Sequence, residues 1–147
     1  MSSSRLGDVN EDAPWLSIRW EPDRRCVHAE WISFANSAEF RASNLKIVEA
    51  VRDRHAALLV IDNRRLEGVT SPDQLWIRDT FVPLLVAAGL RRLALVLARH
   101  GLAKIASEEI LGQTGSAGPF FTRTFATVPE AMEWVVGDDR PAKVKPR

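Results

Sequence analysis

The chain has 147 residues, about one domain's length. Hydrophobic residues make up 46% and charged residues 27%, which excludes a wholly disordered chain, a collagen and a coiled coil. Twenty Lys and Arg against nineteen Asp and Glu leave a formal charge of +1, so no whole-chain field recruits nucleic acid or an anionic membrane.

In chain order, residues 1–13 are polar and read as a mobile tail, because they bury too little to offset their ordering entropy. They contain no apolar stretch of the secretory kind. Leu16, Ile18 and Trp20 then alternate with polar neighbours, and after the turn Glu21-Pro-Asp-Arg-Arg25 a second alternation sets Val27, Ala29 and Trp31 opposite Cys26, His28 and Glu30. Two such runs around a short turn predict an antiparallel hairpin. Asn36 or Ser37 can cap a helix to about Arg54, with Phe40, Ile47, Val48 and Val51 on one face. Ala57–Asp62 is a continuous apolar run of the kind found in a strand covered on both sides.

Ser71-Pro-Asp-Gln74 reads as a capping box, with Ser71 as N-cap and Pro72 at the first helical position. Its helix runs to Ala88, is expected to kink at Pro83, and ends on Gly89. A further apolar strand covers Arg92–Ala98, a short helix Ser107–Leu111, and a last strand Pro119–Phe125. A second capping box, Thr127-Val-Pro-Glu130, opens a final helix to Gly137. Residues 138–147 are basic and Pro-containing and read as a second mobile tail. The expected order is β-β-α-β-α-β-α-β-α, an α/β domain over residues 14–137 with a mixed sheet and helices packed on it.

Few residues suggest chemistry. There is no phosphate-binding Gly-rich loop, no nucleophile elbow and no zinc-type spacing, so no cofactor, metal or catalytic residue is expected. The single cysteine, Cys26, rules out an intrachain disulfide and fits a reducing cytoplasm. Cys26 and His28 share a strand face, which suits a thiolate–imidazole pair; a small buried or edge Cys beside a surface His is the plainer reading, because no third group nearby in the sequence orients the pair. Asp62, Asn63 and Arg64 end a buried strand, where ligands gather in open α/β sheets. They suit either a ligand or a network that steadies the following loop. Thr70 and Ser71 stand at a helix start, favourable for an anion or a phosphoryl group, with capping as the alternative duty. Trp76 is one of five tryptophans, which serve as core or, where exposed, as interface.

Taken together, the chain resembles the STAS superfamily of the anti-sigma-factor-antagonist, or SpoIIAA-like, fold, closest to the bacterial STAS/SEC14-like group. The resemblance covers about Trp15 to Val136. It is carried by Ala29-Glu-Trp-Ile32, Ile61-Asp-Asn-Arg64, Ser71-Pro-Asp-Gln-Leu-Trp76, Ala88-Gly-Leu-Arg-Arg-Leu-Ala94, Ser107-Glu-Glu-Ile110 and Glu130-Ala-Met-Glu-Trp134. It implies a single STAS-like domain without catalysis that binds a protein partner or a small ligand. In the phosphorylated branch the switch is a Ser or Thr at the start of the helix after the third strand, a place held here by Ser71 or Thr70. This sequence has Thr rather than Asp before Ser71, and Pro72 after it.

The expectation is therefore a cytoplasmic regulatory or protein-interaction module, forming a homodimer or acting alone, with no nucleic acid and no membrane insertion. The alternative is a carrier or sensor of a small apolar or anionic ligand, held in a pocket under the helix 71–88 and lined by Phe81 and Leu85.

Overall fold

The computed structural model describes residues 10–66, 69–98 and 120–137. Three antiparallel strands come first: β1 (Asn10–Ala13), β2 (Leu16–Glu21) and β3 (Cys26–Trp31). Helix α1 (Ser37–Arg54) follows, then β4 (Leu58–Asp62). A helical stretch of three parts comes next: α2 (Ser71–Trp76), a π-helical turn (Ile77–Phe81) and α3 (Val82–Ala87). Strands β5 (Arg92–Val96) and β6 (Phe121–Phe125) and helix α4 (Val128–Gly137) complete the described chain.

The six strands lie in sequential order, and β3 to β6 are all parallel. Right-handed crossovers that always advance in the same direction put their helices on the same face. Accordingly α1, the π turn and α3 share a large core with Leu16, Ile18, Val27, Ala29 and Trp31. Helix α4 covers the opposite face over Cys26, Leu58, Val60, Ala94 and Val96. The α/β class, the hairpin and the mixed sheet agree with the sequence reading.

Residues 10–13 correct it. They form the edge strand β1, paired with β2 from Asn10 opposite Arg19 to Ala13 opposite Leu16. The free edge of β2 supplies main-chain partners, so a polar segment gains order without burying apolar side chains. Residues 1–9 and 138–147, and the short helix expected at Ser107–Leu111, lie outside the described residues.

The helix ends follow local chemistry. Asn36 caps α1: its side chain accepts from the Glu39 N–H, and the Glu39 carboxylate accepts from the Asn36 N–H at 2.9 Å. Phe40, Ile47, Val48 and Val51 are all buried beneath it, each contributing about 1.5–3 kcal/mol by area burial. The expected kink at Pro83 takes the form of the π turn. Pro83 has no N–H to donate and its ring crowds the carbonyl four residues back, and the Val82 N–H donates five residues back, to the Ile77 carbonyl. At the other end Gly89, at φ +95°, and Leu90 close a Schellman motif, donating to the Val86 and Leu85 carbonyls at 3.0 and 3.1 Å.

Candidate functional site

The parallel strands point their carboxyl ends at the β3–α1 and β4–α2 loops, and two polar groups form there. The first is built on the end of β4. Asp62 is 3% exposed. Arg64 clamps its carboxylate through two charge-assisted bonds, Nε to Oδ1 at 2.9 Å and Nη2 to Oδ2 at 2.7 Å, and the Arg64 N–H donates to Oδ1 at 3.1 Å. Asn63 is buried too; its N–H donates to the Val96 carbonyl at 2.7 Å and its carbonyl accepts from the Leu66 N–H. The Asn63 side-chain Oδ1 has no partner among the described residues. This is the geometry of a loop-steadying network, in which Asp62 folds the chain back onto itself.

The second group joins two helix starts. Asp73, in the first turn of α2, is 3% exposed. The Ser37 hydroxyl of α1 reaches both its carboxylate oxygens, at 2.6 and 2.8 Å, and Arg41 Nε donates to Oδ1 at 2.8 Å. Burial alone would push the Asp73 carboxyl up, but donation from Ser37, Arg41 and Thr70 outweighs it and holds the group below the usual carboxylate range. Arg41 also lies 5.7 Å over the ring of Trp76, which stacks on Phe81 at 6.4 Å. No hydrogen bond or ion pair among the described residues joins this group to Asp62–Arg64.

Thr70, not Ser71, is the N-cap of α2. Its carbonyl accepts the first helical bond, from Gln74 N–H at 2.9 Å, and its hydroxyl accepts from Asp73 N–H at 3.3 Å. The ladder therefore begins one residue earlier than the expected box, and the Gln74 side chain donates back to the Val69 carbonyl instead. Ser71 is left exposed, without capping duty. Two large apolar side chains are exposed next to these helix starts: Phe34 at 62%, three residues before Ser37, and Leu75 at 49%, two residues after Asp73.

The remaining candidates separate. Cys26 is fully buried, its Sγ donates weakly to the Val27 carbonyl, and burial pushes its thiol up to about 12. His28 is not on the surface as expected: its side chain is 13% exposed, and burial lowers its pKa against the pull of Glu21, Asp62 and Glu30. A neutral thiol under such cover is not a nucleophile. Phe81 and Leu85, the expected lining of a ligand pocket, are 3% and 0% exposed and fill the core instead. An open groove of about 440 Å³ lies elsewhere, between the β1–β2 edge and α1, lined among others by Ala13, Trp15, Leu16, Ala38, Ala42 and Lys46. No group of three or more His, Cys, Asp or Glu among the described residues is placed to hold a metal, and no described helix is long and apolar enough to cross a membrane.

The sequence offers Ser37 only as a possible helix cap and Asp73 only as part of a capping box, and it assigns no site role to either or to Arg41. Asp73 was visible only as an acid in a helix's first turn, where any surface helix carries one.

No family model matches the sequence, and no curated protein matches it. A crystal structure of an uncharacterized protein from the DUF3478 family, from Shewanella loihica PV-4, described as having a SpoIIAA-like fold, is similar in shape. The TM-score is 0.50 at 14% identity, covering 92% of this chain and 98% of that one. At this identity the likeness establishes a SpoIIAA-like fold.

Proposed function

We propose that this chain is a non-catalytic regulatory module that docks a protein partner on the surface formed by the starts of α1 and α2, with Ser71 as its switch position. The observation that supports this most is the exposure of Phe34 and Leu75 beside a rigid polar tie. Two large apolar side chains at the same end of the sheet cost solvation when bare and contribute binding when covered. The Ser37–Asp73 contact holds their two elements in one arrangement, so little ordering is needed on binding.

Ser71 fits the switch role because Thr70 carries the cap. A phosphoryl group on Ser71 adds roughly −1.5 to −2 charges. It would stand at the positive end of the helix, where an anion is tolerated, and would change the field that a partner meets at Phe34 and Leu75. A cytoplasmic setting belongs to the same reading.

The test is affinity capture from the native host with the wild type, a Phe34→Ser/Leu75→Ser double variant and Ser71→Asp. The reading expects a partner that the wild type retains, that the double variant loses, and whose retention Ser71→Asp changes, with all three proteins equally folded by circular dichroism. A partner held equally by all three proteins, or a defined catalytic turnover by the purified chain, overturns it.

A further inference from the structure

The sheet ends on β1 at one side and on β6 at the other. Among the described residues neither outer strand has a further partner, and an open strand edge is a template for pairing with another chain. The two edges carry opposite charge. β1 reads Asn-Glu-Asp-Ala, and its Asp12 is exposed. β6 reads Phe-Thr-Arg-Thr-Phe; its Arg123 is exposed, and Phe121 is 65% exposed.

Direction and facing are also matched. β2 is antiparallel to both its neighbours and β3 to β6 are parallel, so β1 and β6 run the same way. Asp12 stands opposite Ser17, Ser17 opposite Glu30, and Glu30 opposite Asp62, which places Asp12 on the face that α4 covers. Arg123 stands opposite Ala94, a core residue of that same face. A second copy that adds its β1 to this β6 therefore continues the sheet in one sense, with Asp12 beside Arg123 on a shared face. The two-fold alternatives centred on the charged residues oppose like charges. An antiparallel β6 pair centred on Arg123 sets arginine against arginine, and a β1 pair centred on Asp12 sets aspartate against aspartate. Like charges directly across a strand pair are destabilising.

We infer that copies of this chain associate end to end, the acidic β1 edge of one against the Arg123-bearing β6 edge of the next, by parallel strand pairing. The contact is heterologous, so it does not stop at two copies.

Sedimentation velocity of the full chain tests this over a rising concentration series. Salt is set at about 0.01 M, where charges act over roughly 30 Å, and at about 1 M, where they act over roughly 3 Å. The expected result is a faster boundary that grows with concentration past the dimer at low salt and retreats at high salt. Asp12→Lys and Arg123→Glu should each abolish it alone, and an equimolar mixture of the two variants should restore it, since each then offers the edge the other needs. Should either fail a circular dichroism check of folding, Asp12→Asn and Arg123→Gln replace them and should weaken association. A chain that stays monomeric throughout at low salt, that stops at a dimer, or that associates equally well in the variants overturns the inference.

Discussion

The Ser37 hydroxyl lies within 2.6 and 2.8 Å of the two carboxylate oxygens of Asp73, which is 36 residues away in sequence. That contact, with Arg41 alongside, locks the start of α1 to the start of α2. A hydrogen bond to a charged group contributes roughly 1.5–3 kcal/mol. Asp73→Ala should therefore lower the unfolding free energy by about 1–3 kcal/mol, and Ser37→Ala by less, since Arg41 remains. In urea denaturation the two changes should be non-additive; a double variant whose loss equals the sum of the singles would show that the contact carries no coupling. The pH dependence has a definite sign. Asp73 titrates below its ordinary 3.8 in the folded chain, so its contribution is complete above that value and is lost as pH falls through the folded value.

Thr70 and Ser71 should behave oppositely to the order their sequence suggests. Thr70→Ala removes the N-cap and should cost about 0.5–2 kcal/mol. Ser71→Ala should fall within about 0.5 kcal/mol of the wild type, as exposed substitutions do. Thermal unfolding of the two variants decides it: an equal or larger loss at Ser71 would return the cap to that residue.

His28 should make the fold sensitive to mild acid. Burial holds its pKa below the ordinary 6.5, so the unfolded chain takes up a proton there before the native chain does. Above that value His28 adds no slope; below it, stability falls as pH drops towards the folded value and then levels. Unfolding free energies at about pH 7.5 and about pH 5.5 should differ more for the wild type than for His28→Gln. Equal differences in the two proteins would mean that His28 titrates normally in the folded state.

Cys26 should be inert in the native state. With no exposed surface and a thiol near 12, it should react with a thiol reagent at about pH 8 only as fast as the chain opens. Denatured protein should react at once. Rapid labelling of folded protein would show that Cys26 is not covered by α4.

Much of the fold was legible because its signals are local. Leu16, Ile18 and Trp20 alternate cleanly, Leu58–Ile61 is apolar on both faces, and Asn36 and Ser37 both stand where a helix cap belongs. What stayed hidden depends on distant partners. β1 has no apolar alternation, and only the edge of β2 makes it a strand. Asp73 is defined by Ser37 and Arg41, which no spacing rule connects to it. Thr70 and Ser71 can both cap, and the choice between neighbours depends on which carbonyl begins the ladder. Trp76 reads equally well as core or interface; it is in fact half-buried, between the ring of Phe81 and the guanidinium of Arg41.

The sequential order of the six strands bears on how the chain assembles during synthesis. None of the described strands has to insert between two that already pair, so each one emerging from the ribosome can add to an edge that is still open. The β2–β3 hairpin supplies the first such edge from contacts close in sequence, the quickest kind to form. β4 and β5 then extend it as α1 and α3 arrive on one side. Until α4 is made, the Val60 and Val96 side of that growing sheet lacks the cover it has in the finished domain. The arrival of α4 thus decides when this side of the nascent sheet stops presenting an apolar surface to its surroundings.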